Sequence, residues 1–419
     1  MTEQEKSAVP VVVQKYGGTS VGTAERILAI AERIERNLPE TPRLVVVLSA
    51  MGSTTDELVS LAHQVSERPA GREMDLLLST GEQITVSLLG LALQDRGLAA
   101  VSLTALQCGI RTDGVFNVAR IRSIDTERIR AELDAGRVVI VTGFQGINDS
   151  NDVTTLGRGG SDITGAALAS ALGAEACEIC TDVDGVFSAD PSRVPGARLW
   201  AEISYEEAIE MASSGAKVLH PRAAEICMEY DVPIHVRSSF HLREGTWIRG
   251  GGQIMERAEV VSVTSDSKIA KITLLDVPDE PGMAARVFED LAKAGVNIRL
   301  IIQSASSERQ GRITFILDLE FLDDARELVQ RWETEGVTSS GVVESNVAKI
   351  SIVGSRLASS PGLAARMFAA LGRAGINIDC ISSSEMKVAC VISADRRDEA
   401  TRAVHNEFFP ENETATASA

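Results

Sequence analysis

Aromatic residues and histidines are scarce in this chain. Only 4% of its 419 residues are Phe, Trp or Tyr, and five are His. Hydrophobic residues nevertheless make up 44% of the chain, which is enough to build real cores. Those cores must therefore consist mainly of Val, Ile, Leu and Ala.

Positive charge is also in short supply. Lys and Arg number 41 against 59 Asp and Glu, so the formal net charge is −18 and the isoelectric point is near 4.9. This balance argues against a nucleic acid or a membrane surface as partner, because both carry negative charge. An anionic small ligand would still need local cations, so any Lys or Arg placed in a loop becomes a candidate ligand.

Three further features are missing. The sequence has no run of about 18 apolar residues, which a membrane-spanning helix would need. Its first ten residues, MTEQEKSAVP, lack the basic and apolar pattern of a signal peptide. The six cysteines are scattered, and the lone C-x-x-C of Cys177 and Cys180 has neither a second pair nor nearby histidines for zinc. We therefore expect a cytoplasmic protein with reduced, structural cysteines.

Apolar strands alternate with amphipathic helices over roughly the first 240 residues. This alternation predicts a largely parallel sheet covered by helices. The first helix shows the apolar spacing of Ile27, Ile30, Ala31 and Ile34. The run RGGGQ at 249–253 breaks the pattern and predicts a domain boundary. The strands are predicted at 9–14, 43–49, 99–104, 137–143, 176–181 and 232–237.

The remaining sequence contains an internal repeat. Residues 270–298 match residues 348–378, with Pro-Gly and Asn-Ile pairs at the same offset. Each copy reads strand, helix, strand, strand, helix, which predicts a duplicated ferredoxin-like βαββαβ module. The second copy lacks its last strand, because only a polar tail expected to be disordered follows its second helix. The apolar segment 258–264 is a candidate to supply that strand and to interlock the modules.

The sequence QKYGGTS at 14–20 has the chemistry of a phosphate-binding turn. It follows the apolar residues 11–13, so a buried strand ends where Lys15, Gly17 and Gly18 begin a turn. Glycine lets the backbone approach a bulky anion, and a following helix start offers free N–H groups. A tight turn beside a surface lysine explains this stretch alone about as well.

Two further polar loops follow predicted strands. In TTLGRGGSDIT, at 154–164, Arg158 stands between glycines and Ser161 is predicted to cap a helix running from Asp162 to about Gly173. The loop TDVDGVFSADP, at 181–191, follows another strand. Because ligands of open α/β sheets bind at the carboxyl ends of strands, the three loops together predict a ligand crevice.

These motifs together resemble those of the aspartokinases, the amino acid kinases that phosphorylate aspartate. The resemblance covers nearly the whole chain and rests on motifs in the family order: KYGGTSV (15–21), SAMGSTTDEL (49–58), STGEQ (79–83), GFQG (143–146), TTLGRGGSD (154–162), TDVDGVF (181–187) and GAKVLHPR (215–222). It implies an α/β fold with an N-terminal three-layer amino-acid-kinase (carbamate-kinase-like) sandwich on a mainly parallel sheet. Two C-terminal ferredoxin-like ACT domains would follow. The expected divisions are a catalytic domain at 1–250, a linker and strand at 251–262, ACT domains at 263–345 and 346–410, and a disordered tail at 411–419.

The resemblance also implies the reaction and its residues. The γ-phosphoryl group of ATP would pass to the side-chain carboxylate of L-aspartate, giving 4-phospho-L-aspartate on the route to lysine, threonine and methionine. The catalytic residues would be Lys15, Asp162 and Lys217. Aspartate would be bound by Ser49, Thr55, Glu82, Phe144, Arg158 and Ser161. ATP would be bound by Lys15, Gly17, Gly18, Thr181, Asp182, Phe187 and Lys217, with Mg²⁺ held mainly by phosphates and water rather than by protein ligands.

The resemblance also implies regulation by an amino acid, with lysine, threonine or both as effectors and a homo-oligomer joined through the ACT domains. The implied effector site consists of Asp279, Gly282, Met283, Ala284, Asn297, Ile298, Gln303, Leu363, Ala364, Asn377 and Ile378. Of three departures from relatives, the first two leave the effector open and the third leaves open whether Arg193 reaches the nucleotide. Arg299 stands where many relatives have Asp, Ala364 lacks a hydroxyl group, and Ser192 displaces Arg193 from its usual place after Asp-Pro.

Two other functions stay open. The chain could be another amino acid kinase, acting on glutamate, N-acetylglutamate or UMP. It could also be an amino-acid-binding regulator with an inactive kinase half, although Lys15, Glu82, Arg158 and Asp162 are all present. His220 and Arg222 are expected to be structural rather than catalytic.

Overall fold

The computed structural model describes residues 9–216, 218–250, 258–305, 310–357 and 360–410. These residues divide into two compact units. Unit 1 consists of the described residues 9–187, 198–213 and 218–250. Unit 2 consists of residues 188–197, 214–216 and the described residues from 258 onward. Lys217 and the tail 411–419, for which the sequence made predictions, lie outside the described residues.

An eight-stranded sheet forms the centre of unit 1, in the order β10-β12-β11-β9-β1-β2-β6-β3. All its neighbouring strands run parallel except β11 and β12. A small second sheet has the order β5-β4-β7-β8. The strands are β1 (Val12–Tyr16), β2 (Leu44–Leu48), β3 (Ala100–Leu103), β4 (Ile110–Thr112), β5 (Ile121–Ile124), β6 (Val138–Thr142), β7 (Gln145–Ile147), β8 (Val153–Thr155), β9 (Ala176–Thr181), β10 (Glu202–Ile203), β11 (Ile234–Ser238) and β12 (Thr246–Ile248).

Helices accompany the large sheet of unit 1. They are α1 (Ala24–Asn37), α2 (Thr54–Val65), α3 (Gly71–Asp95), α4 (Glu127–Asp134), α5 (Gly160–Leu172), α6 (Tyr205–Ser213) and α7 (Pro221–Glu229). Thr23 caps α1 by accepting a hydrogen bond from the Arg26 N–H. The predicted stripe of α1 is buried and packs with α3 against one face of the sheet. Helix α5, buried almost all round, contacts β1 and β9.

Two local predictions for unit 1 were wrong. The first strand begins at Val12 rather than at residue 9 and continues to Tyr16, so Lys15 lies within the strand. Pro10, which has no N–H group to give to a ladder, precedes it. Helix α5 begins at Gly160 after a left-handed Gly159, so Ser161 lies inside the helix and makes no cap. The positive φ angles of Gly157 and Gly159 turn the chain early enough for the helix to start there.

Helix α3 is long and apolar enough to cross a membrane by length and composition, and it is the one described helix of which this is true. Half of its most apolar stretch is buried inside the structure, however. Its buried residues include the carboxyl groups of Asp75 and Glu82. Asp75 accepts hydrogen bonds from the Asn117 N–H and from the N–H and hydroxyl of Thr155. We therefore interpret α3 as a core helix of unit 1.

Unit 2 is built on one six-stranded antiparallel sheet in the order β14-β15-β13-β16-β18-β17. Its strands are β13 (Ser262–Pro278), β14 (Ile298–Ala305), β15 (Gln310–Asp318), β16 (Ser340–Val353), β17 (Cys380–Ser383) and β18 (Lys387–Ser393). Its helices are α8 (Met283–Lys293), α9 (Leu322–Thr334), α10 (Leu363–Arg373) and α11 (Arg397–Phe408). As the Pro-Gly pairs predict, α8 and α10 each begin after a glycine with positive φ, Gly282 and Gly362.

The two long central strands are shared by both sequence repeats. Residues 262–266 of β13 pair with 349–353 of β16, which is the place of the strand missing from the second repeat. Residues 271–275 of β13 pair with 340–344 of β16 within the first repeat. Each strand thus serves the first module at one end and the second module at the other.

Candidate active site

Lys15 is joined to α5 by a buried ion pair. Its Nζ lies 2.5 Å from Oδ1 of Asp162, and both side chains are only about a tenth exposed, at 12% and 11%. Lys15 reaches Asp162 across Gly165, where a Cβ atom would lie 3.3 Å from the Lys15 Cβ. The end of the central strand and the first turn of α5 therefore meet at one charged contact.

The second carboxylate oxygen of Asp162 is also held. It accepts a hydrogen bond of 3.2 Å from the His220 N–H. The His220 ring packs on Gly159, where a Cβ atom would come within 2.3 Å of it. Burial lowers the pKa of His220, so the neutral ring is favoured. The His220 backbone thus helps to hold the Asp162 carboxylate, and the structural role of His220 stays a prediction.

The turn containing Gly17 and Gly18 lies against the turn after β2. A Cβ atom on Gly18 would lie 3.0 Å from the Ala50 carbonyl oxygen. The Gly52 N–H donates to the Gly18 carbonyl over 3.1 Å. A Cβ atom on Gly17 would lie 3.3 Å from the Lys15 Nζ. A side chain at either glycine would therefore crowd the Ala50 backbone or the Lys15 ammonium group.

Glu82 places a buried carboxylate beside this pair of turns. One oxygen accepts the Ala50 N–H over 3.1 Å, while Oε2 is buried and has no hydrogen-bond partner among the described residues. Gly81 allows this approach, since a Cβ atom there would lie 2.8 Å from the Ala50 side chain. Burial raises the pKa of Glu82 to about 7, although hydrogen bonds from its own backbone and from Ala50 oppose the shift. A buried acceptor of this kind is suited to a cationic ligand group.

Phe144 occupies a strained position next to the start of α5. Its φ of 70° is left-handed, which is uncommon for a bulky residue. Its N–H donates to the Thr164 hydroxyl over 3.1 Å, and Gly160 leaves room for its ring. Ser161 approaches just as closely to the preceding residue, since a Cβ atom on Gly143 would lie 2.6 Å from the Ser161 hydroxyl. The loop after β6 and α5 are therefore tightly packed together.

The other predicted aspartate-binding residues lie on neighbouring turns. Ser49 directly follows β2, and its N–H donates to the Tyr16 carbonyl over 3.2 Å. Thr55 is half-buried in the first turn of α2. Arg158 is exposed between two left-handed glycines immediately before α5. Lys15 contacts the same helix four residues after Arg158, so both cations lie at the start of α5.

The predicted nucleotide loop follows β9. The Thr181 hydroxyl donates to Asp182 over 3.2 Å, and its carbonyl accepts the Ser239 N–H over 2.7 Å. Phe187 is half-buried and forms a bridge with Leu199. Among the residues that the structure covers, no group of three or more His, Cys, Asp or Glu side chains is placed to hold a metal ion.

The sequence left open whether Arg193 contacts the nucleotide. In the structure, Arg193 forms ion pairs with two aspartates. It belongs to unit 2, where its Nε lies 3.2 Å from Asp190 and its Nη1 contacts Asp398 of α11. Arg222, predicted to be structural, donates to the carbonyl groups of Leu156 and Ala119.

Several residues near the site were not predicted from the sequence. They are Gly143, Gly165 and Thr164, described above, and Thr142, whose hydroxyl is buried without a hydrogen-bond partner among the described residues. Thr164 and Gly165 lie inside α5, where a Thr or Gly carries no distinctive sequence signal, whereas Gly143 follows β6 and begins the GFQG motif at 143–146. Only the strand-end position of Thr142 could have identified it.

The predicted effector residues of unit 2 lie around the starts of α8 and α10 and on the strands beside them. Asn297 and Asn377 are exposed at equivalent places in the two repeats, and Gln303 is exposed on β14. Ile298 is the first residue of β14, and Ile378 lies two residues before β17. The other predicted positions, Asp279, Met283, Ala284, Leu363 and Ala364, flank the left-handed glycines Gly282 and Gly362.

Charged residues distinguish the two repeats. Lys271 on β13 lies 2.8 Å from Glu344 and 3.3 Å from Asp379. Arg299, at the position in the first repeat that corresponds to Asp379, lies 2.7 Å from Asp318. A carboxylate in one repeat is thus replaced by a guanidinium group in the other, and both are paired.

Comparison with known families agrees with this architecture. The amino acid kinase family profile matches residues 10–238. Two ACT domain profiles match residues 271–336 and 350–408.

Curated relatives extend over nearly the whole chain. The aspartokinase of Geobacillus stearothermophilus is 44% identical over 97% of this chain and 98% of its own length. The aspartokinase of Thermus thermophilus is 44% identical over 95% and 98%, and aspartokinase 2 of Bacillus subtilis is 43% identical over 95% and 97%.

Solved structures are similar over the same length. E. coli aspartokinase III in complex with aspartate and ADP matches with a TM-score of 0.82 at 25% identity, covering 95% of this chain and all of that one. The same enzyme with lysine and aspartate matches with a TM-score of 0.73 at 25% identity, covering 95% of this chain and 99% of that one. Since relatives of 43 to 44% identity span almost the entire sequence and the kinase and ACT profiles occur in order, the chain belongs to the aspartokinases.

Proposed function

We propose that this chain transfers the γ-phosphoryl group of ATP to the side-chain carboxylate of L-aspartate at the carboxyl edge of the unit 1 sheet. The observation that carries the proposal is the buried contact between Lys15 and Asp162 beside the Gly17-Gly18 turn. A cation fixed at a glycine turn is suited to a transferring phosphoryl group.

No general base is required for this reaction. A side-chain carboxylate with a pKa near 4 is already ionised at neutral pH. Catalysis then consists of positioning two anions and neutralising their charge. Lys15 would stabilise the phosphoryl group while Gly17 and Gly18 donate N–H groups to it. Asp162 would orient Lys15, with its own position fixed by the His220 N–H.

Aspartate would be recognised at both ends. Glu82 would bind the α-ammonium group, because its buried Oε2 has no hydrogen-bond partner among the described residues. Arg158 would bind the α-carboxylate, for which a guanidinium group offers two parallel hydrogen bonds. Small donors would hold the reactive carboxylate and Phe144 would form one wall. The donors are Ser49, Thr55 and Ser161.

The nucleotide would lie along the loop after β9. Thr181, Asp182 and Phe187 would contact the adenosine part, and Lys217, which lies outside the described residues, would contact the phosphates. Mg²⁺ would be held mainly by the phosphates and water. When bound, the ion would supply charge neutralisation at the phosphates.

Regulation would act through unit 2. The family relationship supports an amino-acid effector, and we propose lysine, threonine or both, bound at the predicted positions around α8 and α10 in a homo-oligomer. Isothermal titration with each amino acid tests this, and the absence of heat from both would exclude it. We further propose that the protein is cytoplasmic and takes part in lysine, threonine and methionine biosynthesis. It would have no nucleic acid or membrane partner.

The reaction is tested by ADP release with four acceptors in parallel. Aspartate should support turnover, and glutamate, N-acetylglutamate and UMP should not. Strong turnover on another acceptor would assign a different amino acid kinase activity. If none of the four acceptors supports ADP release, and the folded protein still binds an amino acid effector, the chain would be a regulator with an inactive kinase half.

A further inference from the structure

Residues 188–197, which begin within the polar loop at 181–191, belong to unit 2, whereas residues 181–187, the predicted nucleotide loop, belong to unit 1. The chain leaves unit 1 after Phe187 and returns to it at Arg198. The sequence shows no break here, since the loop reads as one polar segment from 181 to 191.

The residues on either side of the segment 188–197 are bonded to each other within unit 1. Phe187 forms an antiparallel bridge with Leu199. The Trp200 N–H donates to the Val186 carbonyl over 3.0 Å, and the Val186 N–H donates to the Thr246 hydroxyl over 2.8 Å. Val186 and Phe187, at the end of the nucleotide loop, are therefore paired with Leu199 and Trp200, at which the chain has re-entered unit 1.

The first anchor of the segment 188–197 in unit 2 is fully buried. The Ser188 hydroxyl lies 2.9 Å from Nε2 of His405 on α11, and the two residues are 0% and 1% exposed. The Ser188 carbonyl accepts the Val263 N–H from β13 over 2.7 Å. Polar contacts removed from water in this way are costly to break, so they define one position of the segment.

The second anchor is ionic. Arg193 contacts Asp398 in the first turn of α11 and lies 3.2 Å from Asp190 within its own segment. Both arginine and aspartate are only partly exposed, at 27% and 47% of their side chains. Val194, the next residue, is buried. The segment is therefore held on α11 at two points, by Ser188 and by Arg193.

We propose that Ser188, Arg193, Asp398 and His405 are positioning residues for the nucleotide loop 181–187, so that α11 of the last ACT module helps to set the affinity for ATP. The inference rests on the proposed role of that loop in nucleotide binding. None of the four residues is assigned a contact with substrate. They act through the backbone of Phe187, which is covalently joined to Ser188.

The test is steady-state kinetics of the full-length enzyme with ATP and aspartate varied separately. Arg193→Gln, Asp398→Asn and the double variant should each raise the KM for ATP about threefold to tenfold, the range expected when one coupling contact is lost. The double variant should be no worse than the worse single variant, because both changes break the same contact. The KM for aspartate and kcat should stay within about twofold. Ser188→Ala should also raise the KM for ATP. It removes the buried hydrogen bond to His405 with only a small change in side-chain volume.

Glu407→Gln is the matched control. Glu407 lies on the same helix, where it pairs with Arg366 and Arg373 of α10. Glu407→Gln removes ion pairs from the same helix and should leave the KM for ATP unchanged. A KM for ATP that is unchanged in Arg193→Gln, Asp398→Asn and Ser188→Ala, or raised equally in Glu407→Gln, would overturn the inference.

Phe187→Ala separates this inference from the proposal on which it rests. If Phe187→Ala raises the KM for ATP and the anchor variants do not, only the positioning role is wrong. If Phe187→Ala also leaves the KM for ATP unchanged, the loop does not bind the nucleotide and both ideas are wrong. A rise in the KM for ATP in both groups of variants supports both.

Discussion

The ammonium group of Lys15 lies 2.5 Å from the Asp162 carboxylate, in a contact that joins the central strand to the first turn of α5. If Lys15 stabilises the transferring phosphoryl group, Lys15→Met should lower kcat by about 10²- to 10³-fold, the usual cost of losing one electrostatic stabiliser. The variant should still fold, although it leaves Asp162 as a buried charge without its cation and loses about 3–5 kcal/mol of stability.

The double variant Lys15→Met, Asp162→Asn separates catalysis from folding. It removes the unpaired charge, so its free energy of unfolding should recover part of the loss in urea titrations while kcat stays low. Recovery of turnover together with stability would show that Lys15 serves only the fold. Asp162→Asn alone should also lower kcat, because an amide orients an ammonium group less strongly than a carboxylate does.

Glu82 carries a second prediction, which concerns pH. Its pKa is about 7 in the folded chain and 4.5 in the unfolded chain. The folded state therefore keeps a proton that the unfolded state loses, and this group lowers stability as pH rises from about 4.5 to 7. Glu82→Gln should remove that loss, and its advantage should be complete above pH 7. At pH 8 the gain is on the order of 3 kcal/mol at most.

The same variant should bind aspartate poorly. An amide cannot neutralise an α-ammonium group, so the KM for aspartate should rise at least about tenfold while the KM for ATP changes little. In the wild-type protein, affinity for aspartate should increase with pH up to about 7, because binding requires the ionised carboxylate. Melting temperatures at pH 6 and 8, with aspartate titrations at the same pH values, measure both effects. A variant that is less stable at pH 8 and binds aspartate normally would contradict the assignment.

Local patterns predicted the turns, but not the contacts between them. Lys15 and Gly17 could be placed at a strand end because a valine run and two glycines mark that point in sequence. The alternation of strands and helices likewise predicted the parallel sheet. The contact between Glu82 and the Ala50 backbone joins residues 32 positions apart, and no periodicity specifies it. Glu82 was predicted as a ligand of aspartate from the resemblance to the aspartokinases, and not from a pattern in the sequence.

The elements that were missed share a physical cause. The strands of the small sheet are three or four residues long, too short for an alternating pattern to stand out. Residues 188–197 gave no sign that they belong to unit 2, because their anchors lie more than 200 residues away at Asp398 and His405. Contacts between residues so far apart in sequence determine to which unit a segment belongs, and they produce no pattern in the segment's own sequence.

Gly143 gives a prediction about the site's packing. A Cβ atom there would lie 2.6 Å from the Ser161 hydroxyl and 2.9 Å from the Leu48 carbonyl oxygen. Gly143→Ala should therefore push α5 away from the sheet, lower stability by about 1–3 kcal/mol and reduce kcat. Gly114→Ala is the control, since a Cβ atom at Gly114 would meet nothing within 4 Å. Urea unfolding and initial rates compare the two. Equal effects of both substitutions would show that close packing at Gly143 is unimportant.

The shared strands β13 and β16 predict that the two repeats of unit 2 unfold together. Met367 on α10 is fully buried in the core of the second repeat, which includes Val263 of β13. Met367→Ala should cost about 2–5 kcal/mol, because it leaves a cavity there. The same strand continues into the first repeat, where Ile272 pairs with Phe315.

Hydrogen exchange followed by mass spectrometry measures that coupling. In Met367→Ala, amides of β15 in the first repeat should exchange faster by a factor close to that of β18 in the second, since both open in one cooperative step. Met228→Ala is the control, because Met228 lies in unit 1 and is 41% exposed. It should change neither strand. Faster exchange confined to β18 would mean that each repeat opens separately, with the shared strands dividing between Asp266 and Ile269, where the register of β13 against β16 shifts.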